Sequence, residues 1–139
     1  MTIESVRKTL ELWKTQGVRL NPGASREELA RLQGLVGHPI PDVLVQLYSA
    51  ANGMADDQTD RWHLSVWSID RILREHDVRE EGGVRWLAFA DFLIYSWAVY
   101  FDSDGRVWSE GTDETFVSVD DFLHWYTTDP GSLGLVEAV

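Results

Sequence analysis

The sequence predicts an α+β fold, in which N-terminal helices precede a mainly antiparallel sheet with one inserted helix and a closing C-terminal helix. Up to Gly53, apolar residues recur at helical spacing. From Trp62 onward, short runs rich in aromatic and β-branched residues are typical of strands, and the last of them is followed by another helical pattern. The 139 residues are the length of one ordinary domain, so we assign residues 1–139 to a single domain with helices covering one face of its sheet.

Three helices are expected before the sheet. The first covers residues 3–15, and the second begins with a capping box formed by Ser25 and Glu28. The third is the stretch IPDVLVQLYSAANG, residues 40–53, whose proline suits a first helical turn. Its closing Asn-Gly offers a left-handed C-terminal cap. We interpret this third helix as structural and expect function in the segment that follows it.

The second part of the chain contains five strand-like segments: WHLSVW (62–67), WLAFA (86–90), IYSWAVYFD (94–102), RVWSE (106–110) and TFVSV (115–119). Asp104-Gly105 predicts a tight hairpin turn with positive φ angles. Ser68 or Asp70 opens the inserted helix, which gives way to REEGG, and Ser118 with Asp121 resembles a cap for the final helix. The tail from Pro130 is expected to be loosely held.

No motif for catalysis or for a cofactor is present. The absence of cysteine excludes disulfides, zinc–thiolate sites and thiol catalysis, and the chain has no phosphate loop, dinucleotide fingerprint, zinc-protease motif or nucleophile elbow. Paired carboxylates such as Asp120/Asp121 lie in polar surroundings, where they stay ionised rather than act as acid–base catalysts. We therefore expect no enzyme, no catalytic residue, no cofactor and no metal; an enzyme would need a deep pocket with a carboxylate buried beside His63 or Tyr95.

Two patterns with metal-ligand spacing have plainer interpretations. His76 and Glu80 are four residues apart, which on a helix brings two ligands together, but the charged run REHDVREE favours a solvated helix end. DSDG at 102–105 resembles the start of a calcium loop, yet Val107 and Asp113 occupy the positions that need Gly and Glu, so we expect a hairpin.

Seven tryptophans are spread over every predicted element. We expect Trp13, Trp86, Trp97 and Trp125 to fill space between sheet and helices, because such rings bury large apolar areas. Trp62 follows the charged stretch DDQTDR, so packing and a protein interface are equally good interpretations for it.

The net charge of −11 argues against nucleic acid as a direct partner, because phosphate binding needs clustered Lys and Arg. Residues 1–53 carry 6 Lys/Arg and 5 Asp/Glu, whereas residues 54–139 carry 6 and 18. An acidic surface of this kind either keeps a protein soluble or steers it toward a basic partner. The N-terminus has no apolar signal-peptide region and no window spans a membrane, so we expect a cytoplasmic protein without membrane contact.

The segment LARLQGLVGHPIPDVLVQLYSAANGM, residues 29–54, resembles the signature of the SUKH superfamily, which includes a yeast cell-wall-synthesis regulator and many bacterial immunity proteins. The matching positions are Leu32, Gly37, Pro41, Leu44, Leu47, Tyr48, Asn52 and Gly53. Downstream, WLAFADF with its acidic Asp91, the hairpin WAVYFDSDGRVW and the segment FVSVDDFLHWY are similar to later parts of the family pattern, so the resemblance spans residues 25–128. Ile40 replaces the usual Leu, and Met54 stands where an aromatic residue often follows Asn-Gly, which indicates a specialised loop at 54–61.

The resemblance implies a binding protein. Bacterial members commonly neutralise a cognate toxin, often a nuclease with a basic active site, and an acidic face is suited to such a partner. On this hypothesis Asp56, Asp57, Asp60 and Trp62 form the contact, with Glu80 and Glu81 as a second patch. The alternative is a non-enzymatic intracellular scaffold or regulatory module that recognises a protein or a small ligand. The toxin's identity and the oligomeric state are left open.

Overall fold

A computed structural model describes residues 3–37, 39–92, 96–133 and 135 and confirms the α+β fold. The three N-terminal helices are α1 (Glu4–Thr15), α2 (Arg26–Val36) and α3 (Asp42–Ala50). They are followed by β1 (Leu64–Val66), α4 (Ile69–Glu75), β2 (Val78–Glu81), β3 (Val84–Phe92), β4 (Trp97–Phe101), β5 (Val107–Ser109) and β6 (Glu114–Phe116). The chain then forms α5 (Val119–Thr128) and a 3₁₀ turn at Pro130–Leu133. Tyr95, considered above, lies outside the described residues.

The six strands form one antiparallel sheet around β3. β1 and β2 both pair with β3, at the end and at the beginning of that strand respectively. On the opposite edge β4 follows, then β5 and β6. The pairing of β3 with β4 shifts register between Ala88 and Ala90, which leaves Phe89 as an extra residue in a β-bulge.

The helices cover the face of the sheet that we call the inner face. Phe89 packs edge-on against Phe101 and against Phe122 of α5, with ring centroids 5.7 Å and 6.5 Å apart. Because side chains alternate along a strand, the register assigns a second set to the opposite, outer face. The outer face comprises Ser65, Arg79, Glu81, Val84, Trp86, Ala88, Asp91, Ala98, Tyr100, Trp108 and Thr115.

Local sequence signals place the helix starts correctly. The Ser25 hydroxyl accepts from the backbone N–H of Glu28 and the Glu28 carboxylate accepts from that of Ser25, which completes the expected capping box. Ser68 and Ser118 cap α4 and α5 in the same way, each accepting a backbone N–H three residues ahead. These bonds satisfy donors that a helix start otherwise leaves free.

The end of α3 differs from the prediction. The helix stops at Ala50 and Ala51 is extended, so Asn-Gly does not cap it. Asn52 instead joins two other helices: its side-chain N–H donates to the Glu28 carboxylate, and its side-chain oxygen Oδ1 accepts from the backbone N–H of Ile69. Gly53 does have a positive φ of 69°, and a Cβ there would lie 2.5 Å from the backbone of Trp67. The pair therefore serves close packing rather than helix termination.

The segment after α4 ends the helix, as expected, but then forms a strand that the sequence did not predict. His76 ends α4 in the left-handed conformation and Glu80 lies in β2, so their helical spacing has no counterpart in the structure. REEGG is the end of β2 and the turn of a hairpin, since Gly82 and Gly83 both have positive φ. In the confirmed β4–β5 hairpin only Gly105 has a positive φ; Asp102 instead accepts from the backbone N–H of Asp104 and Arg106.

The aromatic and C-terminal predictions hold in part. Trp13 is buried as expected. Trp86 is also buried, but on the outer face rather than between the sheet and the helices. Trp97 and Trp125 are 37% and 39% exposed, so the packing prediction is wrong for those two. The chain from Pro130 is not loosely held where it is described, because Leu133 and Leu135 are buried in the core. Residues 134 and 136–139 lie outside the described part of the chain.

Candidate partner-binding surface

Asp60, predicted as an exposed contact residue, is buried at 3% exposure. One of its oxygens accepts from the backbone N–H groups of Trp62 and Leu64, at 2.7 Å and 2.9 Å. The Tyr126 hydroxyl donates to the other oxygen, and that hydroxyl accepts from the indole N–H of Trp13 at 2.8 Å. Asp60 therefore ties the loop after α3 to α1 and α5, and its carboxylate does not reach the surface.

Burial changes the pKa of the Asp60 carboxyl group. Desolvation raises the pKa of Asp60, although the hydrogen bonds from Tyr126 and from the two backbone N–H groups oppose the rise. Desolvation and the nearby carboxylate also raise the pKa of Tyr126 well above its ordinary value, so the phenol keeps its proton and donates it. These hydrogen bonds fix the end of the loop at 54–61 that carries Asp56 and Asp57, here called the acidic loop.

Asp56 and Asp57 are exposed, as expected, but each is engaged with a guanidinium. Asp56 lies 2.9 Å from Arg74 of α4, and Asp57 receives two hydrogen bonds from one nitrogen of Arg19, at 2.7 Å and 2.9 Å. Exposed ion pairs of this kind contribute only about 0–1 kcal/mol and exchange readily for other partners. Both carboxylates thus remain accessible to a competing cation.

Beside the two aspartates the surface opens into a cavity of about 330 Å³, here called the loop cavity, lined by Asp56, Asp57, Gln58, Thr59, Ser65, Arg71 and Asp91. Asp91 and Arg71 are buried, with 3.7 Å between carboxylate and guanidinium. The Trp67 indole N–H donates to Asp91 at 2.6 Å, and the Arg71 guanidinium lies 4.9 Å from the Trp67 ring centre. The floor of the cavity is therefore a fixed charged cluster.

Sequence reasoning did not assign this cluster to the site. The available signal was Asp91, a carboxylate inside the apolar run WLAFADF, because a charge in a buried strand needs a partner. Its partner Arg71 lies 20 positions away on another element. Spacing along the chain does not indicate such a pair.

Trp62 is half-buried and packs against the core. Its indole nitrogen is buried and has no hydrogen-bond partner among the described residues. The Arg61 guanidinium lies 5.8 Å from its ring centre, within cation–π range. Packing is thus observed, and the role of Trp62 in an interface stays a prediction.

Glu80 and Glu81, predicted as one patch, are both exposed but point to opposite faces of the sheet. Glu80 lies opposite Arg85 and Glu81 lies opposite Val84. Glu81 lines a groove of about 400 Å³ on the outer face, here called the aromatic groove, together with Val84, Trp86, Arg106, Trp108, Asp113 and Thr115. The structure therefore separates the two glutamates and associates one of them with tryptophans.

The loop cavity and the aromatic groove lie on the same side of the sheet. Asp91 at the floor of the first and Trp86 in the second both belong to the outer face, near opposite ends of β3. They are five residues apart, which corresponds to about 16 Å along a strand. One partner protein of ordinary size can cover both, because a standard interface buries about 800 Å² on each side.

Comparison with known proteins returns no family. No protein-family model matches the chain, and no curated protein matches its sequence. In the described part of the chain, no helix combines the length and the apolar character needed to cross a bilayer. Within the same residues, no group of three or more His, Asp or Glu side chains is arranged to hold a metal ion.

Proposed function

We propose that this chain is a SUKH-type immunity protein that binds a cognate bacterial toxin in the cytoplasm and blocks it. The observation that carries the proposal is the outer face of the sheet. Its two concave features are both rimmed by exposed carboxylates, Asp56 and Asp57 at one and Glu81 and Asp113 at the other. The resemblance of residues 25–128 to the SUKH superfamily is the basis for proposing this family and an immunity role.

The charge of this surface supports a basic partner. A toxin that cleaves nucleic acid needs a positively charged groove, and carboxylates at both ends of the outer face suit such a groove. The loop carrying Asp56 and Asp57 is held at its base by the buried Asp60. Because the loop is preorganised, less conformational entropy is lost when it binds.

The proposed roles of the predicted residues follow from their positions. Asp56 and Asp57 would exchange Arg74 and Arg19 for cations of the toxin and speed the encounter. Trp62 would anchor the contact, and Asp60 would support it from within. Glu81 belongs to the same outer face, whereas Glu80 lies outside the proposed surface.

The test uses the protein encoded by the gene next to that of this chain as the candidate toxin. We expect co-expression of this chain to rescue growth of cells that produce the candidate toxin. In a binding assay with the purified proteins, Asp56→Asn combined with Asp57→Asn should lower the association rate about 3–10-fold at low salt and flatten its salt dependence.

The matched control is Glu11→Gln with Glu27→Gln, which changes the net charge equally but lies on α1 and α2. Equal effects of the two double variants would refute the placement of the site. Failure of the neighbouring gene product to bind, together with absence of rescue, would refute the immunity role and favour the scaffold or regulatory module.

A further inference from the structure

We propose that the aromatic groove is the receptor for one basic side chain, arginine or lysine, of the partner protein. The inference deepens the proposed function, since it names the chemistry of the anchor that the toxin would insert. The partner's aliphatic stem would lie on the accessible part of the Trp108 ring, and its cationic head would reach Glu81 and Asp113.

The rings of the groove are held in place before any partner arrives. Trp108 stacks on Tyr100 with ring centres 5.0 Å apart and planes inclined by 23°. Trp86 lies beside it, with ring centres 5.9 Å apart and planes inclined by 58°. The Tyr100 hydroxyl donates to Asp77 at 3.0 Å, and the Trp108 indole N–H donates to Asp113 at 3.2 Å. The groove is therefore a preorganised aromatic surface.

The cation already in the groove is neutralised. The Arg106 guanidinium lies 5.9 Å from the ring centre of Trp86 and donates to Asp102 at 2.6 Å. The Asp102 side chain is fully buried, so this pair is a fixed part of the wall. Arg106 is thereby engaged from two sides, and its charge is compensated by a partner outside the groove lining.

The two carboxylates of the groove, unlike Arg106, have no opposite charge paired with them in the part of the chain that the structure describes. Glu81 and Asp113 are exposed, and among the residues that the structure describes neither has an ion-pair partner. The groove therefore presents two uncompensated negative charges beside the half-buried ring of Trp108, with the buried Trp86 next to that ring. An anionic occupant would be repelled, and a purely apolar one would remove water from both carboxylates without replacing it.

A basic side chain satisfies all of these groups together. Arginine and lysine bury their aliphatic stems on apolar surface while the charged head stays with polar partners. A guanidinium or ammonium group over a tryptophan face is attracted by the negative face of the ring, and more strongly when water is excluded. Two carboxylates at the rim add charge-assisted hydrogen bonds.

The test uses short peptides as probes, so it does not depend on knowing the toxin. The N-acetylated and C-amidated tripeptides Gly-Arg-Gly, Gly-Lys-Gly and Gly-Gln-Gly are titrated into ¹⁵N-labelled protein, and the indole N–H resonances of its tryptophans are followed by NMR. Trp86→Phe and Trp108→Phe identify the two resonances of interest. We expect saturable shifts of these two with the Arg or the Lys peptide and none with the Gln peptide.

The decisive variant combines Glu81→Gln with Asp113→Asn. Asp113 has a positive φ of 54°, a conformation that asparagine tolerates well, so the turn is retained. Asparagine can also still accept from the Trp108 indole. We expect at least fivefold weaker peptide binding by this variant. Glu80→Gln with Glu114→Gln is the matched control, because it removes the same charge from residues on the inner-face register, and should bind as the parent does.

The inference is overturned if the Gln peptide shifts the two resonances as strongly as the Arg and Lys peptides, if none shifts them, or if the two double variants behave alike. Toxin binding measured on the same variants separates the two proposals. Loss of toxin affinity at Glu81 and Asp113 supports both proposals, and an unchanged affinity overturns the groove alone. Specific peptide binding without any toxin binding supports the groove and counts against the immunity role.

Discussion

Replacing Tyr126 by phenylalanine tests whether the buried chain from Trp13 through Tyr126 to Asp60 holds the acidic loop in place. The substitution removes one oxygen and preserves the ring, so packing is nearly unchanged. That oxygen accepts the Trp13 indole N–H at 2.8 Å and carries the proton donated to Asp60. Both neighbouring side chains are buried, and water cannot readily replace the lost bonds.

The magnitude follows from the two groups left without a partner. An unsatisfied buried indole N–H costs about 1–3 kcal/mol, and the loss of a hydrogen bond to a charged group costs about 1.5–3 kcal/mol. Asp60 keeps its two backbone donors, which limits the second loss. We therefore expect Tyr126→Phe to lower the free energy of unfolding by about 3–5 kcal/mol.

The assay is equilibrium unfolding in urea at neutral pH, followed by tryptophan fluorescence. Tyr100→Phe is the matched control, because its hydroxyl makes a single hydrogen bond to the half-buried carboxylate of Asp77. Water competes for that bond, so its loss should cost about 1.5 kcal/mol, the lower end of the range for charged partners. A loss for Tyr126→Phe that does not exceed the loss for Tyr100→Phe would refute the role assigned to the buried chain. A changed slope in urea would mean that the substitution altered the extent of unfolding instead.

Three further outcomes are expected. Burial raises the pKa of Asp60 in the folded state above its ordinary 3.8, so above that pH the folded state holds a proton that the unfolded state has lost. The free energy of unfolding of the parent, relative to that of Asp60→Asn, should therefore fall as pH rises from 3.8 to the folded-state pKa. A flat or rising difference in urea unfolding from pH 3.5 to 7 would contradict this expectation. Gly53→Ala should lower the free energy of unfolding by about 2–4 kcal/mol, because a Cβ there meets a positive φ and clashes with the backbone of Trp67. Gly34→Ala, inside α2 with open space around it, should raise it by about 0.5–1 kcal/mol in the same assay. A loss at Gly53 of no more than about 0.5 kcal/mol would show that the close approach is absent. Asp91→Ala should lower the free energy of unfolding by about 3–5 kcal/mol, because it leaves the Arg71 guanidinium buried without this carboxylate. A decrease below about 1 kcal/mol in thermal or urea unfolding would mean that the pair is not buried.

The features that the sequence predicts well are governed by neighbouring residues. The capping box at Ser25 and Glu28 and the caps at Ser68 and Ser118 depend on residues three positions apart, and all are present. β2 was missed because its sequence, VREE, is charged and exposed, and its strand conformation comes from pairing with β3. Pairing with β3 thus stabilises a strand conformation that the intrinsic propensity of these charged residues does not favour.

The site was less accessible to prediction because its key contacts are long-range. Asp60 looks like one more acidic loop residue, and its burial depends on Tyr126, 66 positions away. Asp56 and Asp57 are exposed as predicted, while the arginines that engage them come from other segments. The separation of Glu80 from Glu81 was accessible in principle, since adjacent residues of any strand point to opposite faces.

The bulge at Phe89 sets the phase of the whole outer face. Trp86 and Asp91 are five positions apart, an odd offset, so in a regular strand they would point in opposite directions. The one extra residue between Ala88 and Ala90 reverses the alternation midway and turns Asp91 to the side of Trp86. The bulge and the length of β3 therefore act together: a strand of the same length without the bulge would turn Asp91 to the inner face, and the floor of the loop cavity would no longer lie on the side of the aromatic groove.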